Sequence, residues 1–189
     1  MEKHRISTII KNKMKKVIVI IALLIGVTGF SQKMITRSGE IKFDATLPEA
    51  IDEVIGTNKT VSAIFDKSTT ELVVLGLVKS FKFKLPLMEE HFNENYMESD
   101  KLPKTSFKGK ILNYDSKSGS YDVEGDLTIH GVTNKVKTKM TVTNDGGKLI
   151  LSGAFTIKLS DYKLEVPALA KKTLAETAKI SLKLALENK

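Results

Sequence analysis

From Gly39 onward, apolar and polar residues alternate with a period of two, the signature of strands that bury one face. The clearest run, Ser120 to His130, sets Tyr121, Val123, Leu127 and Ile129 against Asp122, Glu124, Asp126, Thr128 and His130. Gly131 permits a tight turn, after which Val132, Val136, Met140 and Val142 alternate with Lys135, Lys137, Lys139 and Thr141. Asn144-Asp145-Gly146-Gly147 is a strong hairpin signal. It leads into a strand with Leu149, Leu151, Phe155, Ile157 and Leu159 on one face, and Ile180, Leu182, Leu184 and Leu186 do the same in the last. Shorter runs precede these: Ile41 and Phe43; Val61, Ala63 and Phe65; Phe81, Phe83 and Leu85; Phe107, Gly109 and Ile111. Glu71 to Val78 is apolar on both faces and is expected to be covered on both sides.

Eight or nine such strands joined by hairpins form a meander, and a twisted meander of this length closes to remove its edges. The pattern therefore predicts an all-β antiparallel barrel of about eight strands, wide enough for its own side chains or one slim ligand. Three segments depart from alternation and predict short helices. At 47–55, Thr46 and Glu49 have capping-box spacing and Ile51, Val54 and Ile55 form a stripe. At 87–97, Met88, Phe92 and Tyr96 recur every four residues, and 168–176 is rich in Ala and Lys.

The amino terminus changes the charge argument. Lys11, Lys13, Lys15 and Lys16 precede an apolar run from Val17 to Val27, then Gly29 and Ser31 at the −3 and −1 positions. This is the layout of a secretory signal peptide, too short to span a hydrocarbon core that needs about 20 residues. Residues 1–31 are thus expected to be removed near Ser31/Gln32, with Met14 an alternative start. The formal charge of +8 falls to +3 without them, because 24 basic and 21 acidic residues remain. A nucleic-acid partner loses its support. Residues 32–189 make one domain, and the absence of cysteine rules out disulfides, thiolate metal sites and a lipobox anchor. A soluble periplasmic or secreted protein is the expectation.

Candidate catalytic chemistry is sparse. The mature chain carries two histidines, His91 and His130, and no Gly-x-Ser-x-Gly elbow or phosphate-binding loop. His91, Glu94 and Glu98 lie along one expected helix and suggest a metal-dependent enzyme as a remote reading; a solvated helix face is the simpler one. His130 at a hairpin tip reads as a polar turn residue, with Asp126 too far along its strand to orient it. No catalytic residue, metal or cofactor is assigned. The strand lysines, among them Lys108, Lys110, Lys135, Lys137 and Lys139, read first as solubility and second as a surface for transient membrane contact.

The apolar face carries more. Phe43, Phe65, Phe81, Phe83, Phe107, Tyr121 and Phe155 point into the bore, with Met88, Phe92 and Tyr96 as part of a lid. From periodicity alone they either fill the barrel, as in a structural or interaction module that binds an envelope partner, or line it for a long hydrocarbon.

Two blocks resemble the YceI-like family. His91 to Lys110 reads as its acidic and aromatic segment followed by Leu-Pro-x-x-x-Phe at Leu102-Pro103 and Phe107. Val123-Glu124-Gly125-Asp126-Leu127-Thr128-Ile129-His130-Gly131-Val132-Thr133 is similar to its Val-x-Gly-x-Leu-Thr-x-x-Gly-Val-Thr hairpin. The resemblance implies a lipocalin-like periplasmic barrel that binds a polyisoprenoid or similar long-chain lipid and has no catalytic residues. It shifts the expectation from a filled bore to a lined one. The front departs: the family's two long strands with Val-x-Phe-x-Val-x-His and Gly-x-Phe are reduced here to Gly39–Asp44 and the helix expected from Thr46. A shorter or differently closed barrel follows as the expectation.

Overall fold

Strand pairing on either side of residues 46–54 decides how the front of the barrel folds. The computed structural model describes residues 33–167, 170 and 172–189, so the export segment expected at 1–31 lies outside the described residues. β1 (Lys33–Thr46) and β2 (Ile55–Asp66) pair antiparallel up to Asp44 opposite Ile55. The Ala45 amide donates to the Val54 carbonyl at 3.0 Å, which fixes the two ends of the connection side by side. Paired strands lie about 5 Å apart, whereas a helix over 47–55 would span about 13 Å. The expected helix therefore does not form. The Thr46 hydroxyl, expected as its cap, instead accepts from the Val54 amide at 2.9 Å and closes the loop. Both long front strands are present, so the expectation of a curtailed barrel is also corrected.

The remaining strands are β3 (Glu71–Leu77), β4 (Lys82–Phe83), β5 (Lys104–Ile111), β6 (Gly119–Ile129), β7 (Val132–Asp145), β8 (Lys148–Lys158) and β9 (Leu174–Asn188). Neighbours run β1-β9-β8-β7-β6-β5-β3-β2, and β2 pairs back onto β1. This closes an antiparallel barrel of eight strands, with β4 a two-residue addition at Gly56 and Thr57 of β2. β1 carries register shifts on both sides of Gly39, bulges that let one strand turn between β2 and β9. The run expected at Phe81 to Leu85 shrinks to β4 because Val78–Ser80 is a single 3-10 turn.

Both tight hairpins follow from local chemistry. His130 and Gly131 join β6 to β7 with φ of 49° and 71°, and Gly146 and Gly147 join β7 to β8 with 53° and 91°. Positive φ at both central residues gives the turn twist that matches flanking strands. Helix α1 (Pro86–His91) opens on a proline at its first turn and continues into one wide turn, Phe92–Tyr96, in which the Met97 amide donates to the Phe92 carbonyl. The helix expected at 87–97 is thus present. The helix expected at 168–176 does not extend past 173, since Leu174 already belongs to β9, and among the described residues before it Ala170 and Thr173 donate to carbonyls three residues back. Residues 168, 169 and 171 lie outside the described residues.

The interior divides along its length. At one end Met34, Phe65, Leu72, Ile111, Leu149, Leu151, Leu184 and Leu186 are all at most 1% exposed and pack as a continuous plug. Tyr114 and Tyr121 close that end, with ring centroids of Phe65–Tyr114 at 5.4 Å and Tyr114–Tyr121 at 5.3 Å. The Tyr121 hydroxyl donates to the Asp115 carboxylate, which lowers the pKa of Asp115 and raises that of the phenol.

Outside, the strand register interleaves the charges. On β6, Asp126 lies between Lys108 and Lys135, and Glu124 between Lys110 and Lys137, while Asp122 meets Lys139 at 2.9 Å. β3 is not covered on both sides as expected. Leu72 and Val74 are buried, but Val73, Leu75 and Leu77 face outward beside Ile64 of β2 and are exposed. The lid segment sits at the barrel end and leaves this wall bare.

Candidate functional site

Opposite the plug the barrel is open. A cavity of about 390 Å³ enters the bore there, within the range of small-molecule sites. Its walls are Ile41 and Phe43 of β1, Leu127 and Ile129 of β6, Ile157 of β8, and Leu174 and Ile180 of β9. The loop between β1 and β2 adds Asp52 and Val54, and the turn after β8 adds Leu159 and Leu164. Phe81, Phe83, Leu85, Leu87, Met88, His91, Phe92, Tyr96 and Met97 cover one side. Among the described lining residues, the polar side chains are those of Asp52, His91, Tyr96, Thr105 and Thr173, and both Asp52 and His91 are exposed.

Phe92 anchors the lid. Its ring lies 4.9 Å from Phe83, 5.6 Å from Phe81 and 5.9 Å from Phe43, all tilted pairs, and the residue is 9% exposed. Such pairs contribute about 0.5–1.5 kcal/mol each beyond their burial. Phe83 itself rests on Gly56, where a β-carbon would stand 2.5 Å from its ring. Polar ties fix the same segment. Lys82 Nζ reaches Glu89 at 2.5 Å, the Phe83 amide donates to the other Glu89 oxygen at 3.2 Å, and Asn93 donates to the Glu89 carbonyl. The Lys82 hydrogen bond, helped by that amide, holds the Glu89 carboxyl below the usual glutamate range.

A second tie was not legible in the sequence. His130 Nε2 lies 3.4 Å from Glu98 Oε2, and Nδ1 lies 3.3 Å from the Tyr162 carbonyl, with the imidazole only 15% exposed. Glu98 also takes Lys101 at 2.5 Å, the main cause of its lowered value, with His130 adding to it. The β6–β7 turn, the end of the lid and the turn after β8 are thereby joined. His130 is 32 residues from both partners, a separation that no local pattern reveals. The set His91, Glu94 and Glu98 does not converge, since Glu98 is engaged by Lys101 and His130. Among the described residues, no three His, Asp or Glu side chains are grouped to hold an ion.

The sequence-derived lining residues divide by depth. Phe43, Phe81, Phe83, Met88, Phe92 and Tyr96 are brought together around the cavity. Phe65 lies in the plug and Tyr121 at its closed end. Neither Phe155 nor Phe107 is on the cavity lining: Phe155 packs against the cluster of the lined half, and Phe107 packs against both halves.

The YceI-like domain model matches residues 27–186, and the chain belongs to that family. Among solved structures, a polyisoprenoid binding domain from Saccharophagus degradans, implicated in plant cell wall breakdown, superposes with a TM-score of 0.70 at 13% identity. That match covers 84% of this chain and 99% of the other. BcnA of Burkholderia cenocepacia gives 0.66 at 19% identity over 78% and 95%. The YCEI protein of Campylobacter jejuni gives 0.56 at 20% over 74% and 86%. At these identities the likeness establishes a shared barrel. No curated protein matches the chain.

Proposed function

We propose that the protein is an exported, non-catalytic carrier that holds the apolar tail of an isoprenoid or comparable long-chain amphiphile in the open half of its barrel. The carrying observation is the cavity: an apolar shaft stopped at one end, with its exposed polar groups, Asp52 and His91, on the lining. Such a shaft takes a tail out of water at about 0.8 kcal/mol per buried methylene and leaves a polar head at the rim. Membership in the YceI-like family and the printed ligand class of the Saccharophagus domain support the same reading. The signal-like amino terminus supports release into a periplasm or the medium. Ile51 is 98% exposed beside Asp52, and Leu87 is 61% exposed at the cavity, an apolar rim suited to brief contact with a bilayer during exchange.

Titration with a fluorescent farnesyl-chain amphiphile tests the reading. Saturable binding with one site per chain is expected, reversed by unlabelled isoprenoid alcohol. Absence of binding to any chain of eight or more carbons, in folded protein stripped of lipid, overturns it.

A further inference from the structure

The boundary between the plug and the open half is built by a side chain on a wall that lacks its own. Gly109 of β5 and Gly125 of β6 stand directly opposite each other. A β-carbon on Gly109 would stand 2.5 Å from Phe107 Cζ, and one on Gly125 would stand 2.8 Å from it. The Phe107 ring therefore lies along the strands over both glycines, in the slot that two side chains would otherwise occupy. Its cross-strand partners are Leu127, which lines the cavity, and Val74, which belongs to the plug. Phe107 and Ile41 are the two partly buried residues that pack against both halves of the interior.

Resting on the carrier reading, we propose that Phe107, beside the lining residue Leu127 at the boundary with the plug, stops the site and sets the length of tail the barrel accepts. On β9 the lining runs from Leu174 to Ile180, and the next inward residues, Leu182 and Leu184, belong to the plug side. β9 is irregular between Leu174 and Lys179, so the depth follows β1, where Ile41 pairs with Leu182 and Thr46 with Leu174; five residues advance about 17 Å along a strand, or about 13 Å along the bore at the usual tilt. A hydrocarbon chain built of ~1.5 Å bonds advances about 1.3 Å per carbon, so the shaft seats about ten main-chain carbons. That matches a tail of about two and a half isoprene units, each contributing about four main-chain carbons. Longer tails leave their remainder at the mouth. Removing the ring opens the glycine slot and deepens the shaft by about 5 Å, room for about four more carbons.

Competition binding across straight-chain alcohols of eight to twenty carbons, together with farnesyl and geranylgeranyl alcohol, tests this. For the native protein, affinity should rise about fourfold per methylene and flatten at about ten main-chain carbons. In Phe107→Ala the break should move out by about four carbons, and in Phe107→Leu by one or two. Phe107→Leu, which keeps an apolar cover on the glycines, serves where the alanine variant does not fold. A native profile that climbs without a break to twenty carbons overturns the proposal, as does an unmoved break in a folded variant. In both results chains still bind, which separates them from failure of the carrier reading, where no chain binds.

Discussion

Replacing Leu184 by alanine removes a side chain that is fully buried in the plug, beside a backbone that has nothing to fill the gap. A β-carbon on Gly39 would stand 2.5 Å from Leu184 Cδ2 and 3.1 Å from the Val61 carbonyl oxygen, so β1 presses directly on this leucine. The lost transfer free energy is about 2.5 kcal/mol for three carbons. A residual void of about 70 Å³ adds about 1.5 kcal/mol. Leu184→Ala should therefore cost about 4 kcal/mol. Gly39→Ala forces a methyl into the same place and should cost about 2 kcal/mol by overpacking. Combined, the new methyl occupies the vacated space, so the double variant should be more stable than the sum of the two by about 1.5 kcal/mol. Urea denaturation followed by circular dichroism measures all three against the native chain. Additivity within about 0.5 kcal/mol would refute the close packing that stops the bore at this level.

Three further outcomes follow from the same geometry. Phe92→Ala removes the ring shared by Phe43, Phe81 and Phe83 and should cost about 3 kcal/mol. Amide exchange should then quicken over residues 86–97 while the plug strands keep their protection; uniform quickening would show that the lid is not a separate unit. Gly125→Ala places its β-carbon against the β5 backbone and should cost more than about 3 kcal/mol. Gly146→Ala meets open space at a φ of 53° and should cost only about 1 kcal/mol, so equal losses in denaturation would argue against the Gly109–Gly125 contact. Acid should loosen the lid. Glu89 and Glu98 are both held below the ordinary value of 4.5, so their contribution is complete above it and is lost as pH falls through the lowered values. Lys82→Met removes the first cause acting on Glu89 and should move lid loosening, followed by exchange at 86–97, to higher pH; superposable profiles would exclude the Lys82 tie.

Alternation made the inward and outward faces legible almost everywhere, because a period of two is a property of the strand itself. In the Ser120–Asn144 hairpin the faces and the turn were legible, and the structure adds the register that the two-residue turn at His130-Gly131 imposes, Asp126 against Lys135 and Glu124 against Lys137. Depth along the bore was not legible. Phe43 and Phe65 have equally inward positions, yet one lines the cavity and the other is sealed in the plug. Depth follows from the stagger of neighbouring strands around a closed barrel, which no single strand encodes. The helix expected at 47–55 failed for a related reason. Thr46 and Glu49 satisfy a local capping pattern, but the hairpin already held Ala45 and Val54 together, and a hydroxyl with two roles took the one the strands imposed. Likewise, Val73, Leu75 and Leu77 declare a strand but not what covers it.

Native mass spectrometry of the protein exported into a bacterial periplasm and purified without detergent tests the carrier reading most directly. The carrier reading expects a bound species that is released by organic solvent and carries an apolar tail, one per chain, and that is lost when Ile129, on the cavity wall, is replaced by aspartate in a folded variant. Protein of bare polypeptide mass, recovered repeatedly from lipid-replete cells and unchanged by added isoprenoid, would contradict it.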